Sequence, residues 1–169
     1  MRYFFALWPD DSTRNQLIEV CQKLPAGTGR IVPGQNLHIT LAFLGSLDGA
    51  VVGNLRQGAA VIHTGPFSLQ LDELGWWRKP RVVWLAAGQV PDALLELVKE
   101  LNSLLLSQGI KPDSRPYQPH LTIARKAAAM PRQLDFKPID WRIDSFCLVQ
   151  SNTLPEGAVY EVIEAWPLS

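Results

Sequence analysis

The spacing of apolar residues along the chain predicts three helices, because apolar side chains recur every three or four positions in three segments. The first helix begins after Asp10, which can cap it, and it ends at Pro25. The other two are predicted over residues 48–62 and 91–108. Gly109 follows the last of these and favours a helix end there.

Shorter apolar segments bounded by Gly, Pro, Asn or Asp are typical of strands. The first of them is apolar almost throughout, which predicts a central strand covered on both faces. The strands are predicted at residues 2–8, 37–44, 67–71, 81–87, 120–125, 143–150 and 159–166. Helices and strands do not alternate regularly, so the order favours an α+β fold over a doubly wound parallel sheet.

Composition narrows the class of protein. The 169 residues fit a single domain, 1–169, and 47% apolar against 19% charged residues excludes intrinsic disorder. Equal numbers of basic and acidic residues argue against a protein that coats nucleic acid, but they allow a terminal phosphate ligand. We expect a cytoplasmic monomer with no membrane association, since Cys21 and Cys147 form no close pair and the opening apolar stretch is short for a secretory signal.

One internal repeat is informative. The segment His38-Ile39-Thr40-Leu41 is echoed by His120-Leu121-Thr122-Ile123, and the two histidines are 82 positions apart, about half the chain. This predicts two similar lobes that each contribute one decorated strand. Strict alternation would put each His with its Thr on one face, and Ile39, Leu41 and Phe43 on the core face.

Two histidines facing one cleft would suit a reaction that removes one proton and delivers another. The hydroxyls of Thr40 and Thr122 could donate hydrogen bonds to the oxygens of a phosphoryl group as negative charge develops. These parts suffice for phosphodiester hydrolysis without a metal or cofactor. A single His in a strand is more often structural, but the duplication of the motif favours catalysis. The third histidine, His63, lacks the motif and is predicted to lie on the surface.

With these motifs the chain resembles the two-histidine phosphoesterases, specifically the bacterial and archaeal RNA 2′,3′-cyclic phosphodiesterases, historically called 2′-5′ RNA ligases. The resemblance implies a bilobal α+β fold of two pseudo-symmetric antiparallel lobes with flanking helices and a cleft between them. It also implies conversion of RNA 2′,3′-cyclic phosphate ends to 2′-phosphates, with His38 as proton donor, His120 as proton acceptor and no cofactor. The segments that carry it are residues 2–7, 36–45, 81–85, 119–125 and 157–162.

Further residues near the motifs are candidate substrate contacts. The resemblance implies that Arg125 binds the phosphate, which requires a bulge or strand end because strict alternation points it away from His120. Tyr117 can stack on a base or cover the strand end. The tryptophans nearby can stack on bases or pack in the core: Trp76, Trp77 and Trp84. The cations beside them can steer RNA or simply be solvated: Arg78, Lys79 and Arg81.

Two other functions remain open from the sequence. The same machinery can act on small cyclic or 2′-5′-linked nucleotides, or the cleft can bind phosphorylated RNA ends without turnover. Binding alone does not need two titratable groups, which counts against the second. ATP-dependent joining lacks support, because no Gly-rich phosphate loop followed by Lys-Ser or Lys-Thr is present.

Overall fold

A long antiparallel sheet organises the computed structural model, which describes residues 1–132 and 134–169. Its strands run in the order β10-β9-β1-β3-β7-β6-β5, β2 pairs with β7, and β4 and β8 form a separate pair. The strands are β1 (Arg2–Leu7), β2 (Arg30–Ile31), β3 (Ile39–Gly45), β4 (Phe67–Leu71), β5 (Glu73–Trp77), β6 (Val82–Ala86), β7 (Leu121–Arg125), β8 (Ile139–Ile143), β9 (Ser145–Leu154) and β10 (Gly157–Pro167). The helices are α1 (Asp11–Gln22), α2 (Gly49–Ala60) and α3 (Asp92–Ser107), and a 3₁₀ turn covers Gly34–Asn36.

The sheet has a narrow waist between β3 and β7. These two strands share a single paired position, Ile39 opposite Leu121, whereas β1 and β3 pair over most of their length. The strands from β10 to β3 therefore make one lobe and those from β7 to β5 the other, which confirms the predicted α+β fold. The waist joins the two strands that carry the repeated motif.

Helices α1 and α2 begin after aspartates that cap them, and the Asp10 cap was predicted. The carboxylate of Asp10 accepts a hydrogen bond from the backbone N–H of Thr13 at 2.7 Å, and that of Asp48 from Val51 at 3.0 Å. Helix α3 ends before Gly109, whose φ of +74° suits glycine. The apolar face of α3 is buried, and four of its leucines are wholly excluded from solvent: Leu94, Leu97, Leu101 and Leu105. Each such burial stabilises the fold by roughly 1.5–3 kcal/mol.

Three strands were not predicted from the sequence: β2, β5 and β8. Strand β2 has only two residues, Arg30–Ile31, too few to show an alternating pattern. Strand β5 contains Gly75, over which the Trp84 ring packs so closely that a side chain there would clash. Strand β8 alternates over only five residues, and the prediction that Ile143 opens the following strand was wrong: Ile143 ends β8, and β9 begins after Asp144. Among the described residues, no helix has both the length and the apolar character needed to span a membrane.

Candidate active site

The two repeated motifs meet at the waist of the sheet. Ile39 pairs with Leu121 in antiparallel register. His38 and His120 directly precede β3 and β7, and Thr40 and Thr122 follow the paired residues. Extending the register by one residue in each direction brings both histidines and both threonines to the same face. The predicted convergence thus arises within one continuous sheet, where the motif strands are neighbours.

Both imidazoles are held in the same way. Nδ1 of His38 donates to the carbonyl oxygen of Asn36 at 2.6 Å, and Nδ1 of His120 donates to that of Gln118 at 2.8 Å. A carbonyl can only accept, so each ring carries its hydrogen on Nδ1 and directs Nε2 elsewhere. Nε2 of His38 lies 3.1 Å from the hydroxyl oxygen of Thr40. Each His therefore has one nitrogen fixed by backbone and one available for proton transfer.

A β-bulge follows the threonine in each motif. Between β1 and β3 the pairing steps from Ala6–Thr40 to Phe5–Ala42, so Leu41 is the extra residue. Between β6 and β7 it steps from Trp84–Thr122 to Val83–Ala124, so Ile123 is extra. A bulge reverses the alternation beyond it. The sequence of buried and exposed residues is the same in both strands, from Ile39 to Phe43 and from Leu121 to Arg125.

These bulges bring two further side chains to the face of the histidines. Phe43 was predicted to lie in the core, and this was wrong: its side chain is 73% exposed, and it is paired with Phe4 on the face that carries His38. Arg125 is at the equivalent position of the second motif and is also exposed. Strict alternation predicted that it points away, but the bulge at Ile123 turns it to the site.

Aromatic rings contact both imidazoles, three at His38 and one at His120. The His38 ring stacks against Phe4 at 4.9 Å and Trp8 at 5.5 Å between centroids, and Tyr160 meets its edge at 5.3 Å. The ring of Trp77 lies edge-on to His120 at 4.5 Å. Sequence reasoning missed Phe4, Trp8 and Tyr160. Their signal was weak, since alternate positions of an apolar strand show which residues share a face but not what that face contacts.

The environment favours neutral imidazoles in the unliganded protein. Burial lowers the pKa of His38 to about 4, and the positive charges of Arg125, Arg14 and His120 act in the same direction, against the hydrogen bond to Asn36. The pKa of His120 is also lowered, first by burial and then by Arg125. A bound anion would offset these cations and raise both pKa values. The site is therefore suited to bind a phosphoryl group and then exchange protons with it.

The remaining candidates are distributed around this centre. The hydroxyl of Tyr117 donates to the carbonyl of Thr40 at 2.9 Å, which ties the approach to the second motif to the first; a substrate contact there stays a prediction. Trp76 donates from its indole to the carbonyl of Ala127 at 3.0 Å and packs against the core. The ring of Trp84 lies 5.2 Å from that of Trp77. Four of the remaining residues considered from the sequence are exposed: His63, and Arg78, Lys79 and Arg81 of the β5–β6 turn.

No cluster of three or more His, Cys, Asp or Glu side chains that could hold a metal ion is found within residues 1–132 and 134–169. The chemistry available at the site is that of two imidazoles, two hydroxyls and a guanidinium. Metal-independent catalysis remains a prediction from this set of groups.

Known proteins resemble this chain over nearly its whole length. The family model of the "2'-5' RNA ligase superfamily" matches residues 9–154. An RNA 2′,3′-cyclic phosphodiesterase of Escherichia coli is 38% identical and aligns with 99% of this chain and 97% of its own length. One of Thermotoga maritima is 30% identical over 96% and 93%. The crystal structure of E. coli LigT complexed with 3′-AMP superimposes with a TM-score of 0.89 at 32% identity, covering 99% of this chain and 98% of that one.

Proposed function

The chain belongs to the 2′-5′ RNA ligase superfamily, and on this premise we propose that it hydrolyses the 2′,3′-cyclic phosphate at RNA ends to a 2′-phosphate. The relatives that match over nearly their whole length are RNA 2′,3′-cyclic phosphodiesterases by name. The observation that carries the proposal is the pairing of Ile39 with Leu121, which brings both His-x-Thr motifs to one face. Two imidazoles whose Nδ1 atoms are held by backbone carbonyls, which leaves Nε2 for proton transfer, are the groups that metal-free phosphodiester hydrolysis needs.

In the proposed reaction, His120 accepts a proton from a water molecule that attacks phosphorus. The bond from phosphorus to the 3′ oxygen breaks, and His38 gives a proton to that oxygen, leaving a 2′-phosphomonoester and a 3′-hydroxyl. The hydroxyls of Thr40 and Thr122 and the guanidinium of Arg125 stabilise the charge that develops on the non-bridging oxygens. The order of the two histidines rests on the family resemblance.

The low pKa of His38 bears directly on its role as the acid. At a pKa of about 4 the free protein holds His38 neutral near pH 7. The anionic substrate offsets the field of Arg125 and Arg14, so binding raises the pKa of His38 and favours its protonated form. Protonation of the acid is thereby coupled to occupancy of the site.

An RNA end is favoured over an isolated cyclic mononucleotide by the charges beside the site. Arg30 lies directly opposite Arg125 in the β2–β7 pairing, and like charges in that position destabilise a sheet. Neither is in an ion pair within 4.0 Å among the described residues; Arg30 donates to the carbonyl of Glu156 at 3.0 Å. A phosphodiester on the 5′ side of the terminal nucleotide would neutralise Arg30, and the exposed ring of Phe43 offers a surface for a base.

The test compares two substrates, a 2′,3′-cyclic mononucleotide and a dinucleotide that ends in a 2′,3′-cyclic phosphate. Hydrolysis of both, lost in His38→Ala and His120→Ala and retained in His63→Ala, supports the proposed activity. Arg30→Gln should then lower kcat/KM for the dinucleotide only. An equal effect on both substrates would favour the small-nucleotide alternative, and binding without turnover by the wild type would favour a binding module.

Metal independence is tested in the same assay. Because the proposed acid and base are protein side chains, we expect activity to survive excess EDTA. Loss of activity in EDTA with recovery on adding one divalent metal would contradict the mechanism.

A further inference from the structure

Arg14 of α1 makes an unusual set of contacts for a charged side chain. Its Nη1 donates to the carbonyl oxygens of Gly34 at 2.6 Å and Leu37 at 3.1 Å, and its Nη2 donates to that of Pro9 at 3.3 Å. The guanidinium also lies over the ring of Trp8, 5.3 Å from its centroid. One rigid fork of donors is thus shared between two backbone segments and an aromatic face.

The two segments are those that hold His38. Leu37 directly precedes His38, and Gly34 begins the 3₁₀ turn that ends at Asn36. The carbonyl of Asn36 is the one that fixes Nδ1 of His38. Pro9 follows Trp8, the ring that stacks on the imidazole at 5.5 Å. Arg14 therefore contacts the backbone on the approach to His38 and the ring that packs on it.

No carboxylate pairs with this charge among the described residues, whose ion pairs within 4.0 Å are Arg56–Glu164 and Arg115–Asp113. Burial lowers the pKa of Arg14, and the nearby charge of Asp11 raises it. Carbonyl dipoles and the Trp8 face hold the cation in place of an acid. The positive charge of Arg14 is one of the causes that lower the pKa of His38.

We propose that Arg14 is a positioning residue for His38, which fixes the imidazole through Trp8 and the Gly34–Leu37 segment so that Nε2 stays directed at Thr40 and the substrate phosphoryl group. The kinetic part of this proposal rests on the proposed function; the orientation of the ring does not. The charged and titratable groups that bear on His38 are Arg14 from α1, Arg125 and His120 around β7, and Tyr160 from β10. Arg14 is the one that also sets the backbone around it.

Two substitutions separate the parts of this role. Arg14→Lys keeps the charge but loses the planar fork that donates to three carbonyls. Arg14→Met keeps much of the stem and removes the charge. Arg56→Met is the matched control, because it removes an exposed arginine that pairs with Glu164 away from His38.

The first readout is imidazole nitrogen NMR of the substrate-free protein. In the wild type and in Arg56→Met we expect His38 to be the tautomer with hydrogen on Nδ1. In Arg14→Lys we expect a mixture of tautomers with the pKa of His38 little changed, and in Arg14→Met a raised pKa as well. Unchanged His38 signals in both Arg14 variants would overturn the proposal, even if the variants were less stable.

The second readout is kinetics on a 2′,3′-cyclic mononucleotide. Misplacement of the acid should lower kcat about 10- to 100-fold in Arg14→Lys with KM within about twofold, since binding is retained while alignment is lost. Wild-type kcat in a folded Arg14→Lys protein would contradict the proposal. If the wild type does not hydrolyse this substrate, the proposed function fails, and the NMR result still decides whether Arg14 positions His38.

Discussion

The buried imidazole of His38 should make the stability of the protein depend on pH in a specific range. Its pKa in the folded state is about 4 against an ordinary value of 6.5. The unfolded chain therefore binds the proton more readily, and the free energy of unfolding falls as the pH drops below 6.5. The decline ends near pH 4, where the folded state also takes up the proton.

The magnitude follows from the two pKa values. The full difference corresponds to about 3 kcal/mol, at ~1.4 kcal/mol for each pH unit. At pH 4.5 the wild type should have lost roughly 2–3 kcal/mol through this group, at pH 5.5 roughly 1 kcal/mol, and at pH 7.5 almost nothing. The loss is large for a single domain, whose total stability is about 5–15 kcal/mol.

The assay is urea unfolding of the wild type and His38→Gln at several values of pH between 7.5 and 4.5. The variant lacks the titrating ring, and the difference between the two proteins removes the contributions of His120 and the carboxylates. His63→Gln is the matched control, since it replaces an exposed histidine in the same way. If the wild-type and His38→Gln curves stay parallel within about 0.5 kcal/mol, the reasoning about burial of His38 is refuted.

The other predictions concern catalysis. His38→Ala and His120→Ala should each lower the rate about 10²–10⁴-fold. The double variant should lower it by much less than the product of the two single effects, and a fully multiplicative effect would contradict a concerted pair. Thr40→Ala and Thr122→Ala should each lower the rate less than the histidine variants do. A substrate with an activated leaving group should relieve the defect of His38→Ala selectively, and equal relief of both variants would refute His38 as the acid. The pH profile of kcat/KM should be bell-shaped with its maximum below pH 6.5, because His38 must be protonated while His120 is neutral in the free enzyme and both pKa values are lowered from 6.5. The alkaline limb of the kcat profile should lie at higher pH than that of the kcat/KM profile, since the bound phosphate raises the pKa of His38. Identical alkaline limbs in the two profiles would exclude this coupling.

The motif residues were predictable because the repeat is local and carries its own chemistry. Two His-x-Thr segments half a chain apart identify the four side chains, and strand alternation gives their common face. The Asp10 cap of α1 and the buried apolar face of α3 were predictable for the same reason, since each depends on residues a few positions apart. The waist between β3 and β7 was not, because strand order depends on long-range pairing.

The misjudged residues share one physical cause. The bulges at Leu41 and Ile123 shift the register against partner strands, and nothing in the motif announces an extra residue. Phe43 was therefore assigned to the core, and the orientation of Arg125 stayed open. Arg14 was missed because its partners are backbone carbonyls, which leave no pattern in the sequence.

The measurement that tests the central claim most directly is phosphorus NMR of the product from a short RNA ending in a 2′,3′-cyclic phosphate, with hydrolysis carried out in ¹⁸O-enriched water. The account predicts a single 2′-phosphomonoester that carries one ¹⁸O atom on phosphorus, formed in the presence of EDTA and formed about 10²–10⁴-fold more slowly by His120→Ala. A 3′-phosphate, a product without ¹⁸O, or an unchanged cyclic phosphate would contradict it.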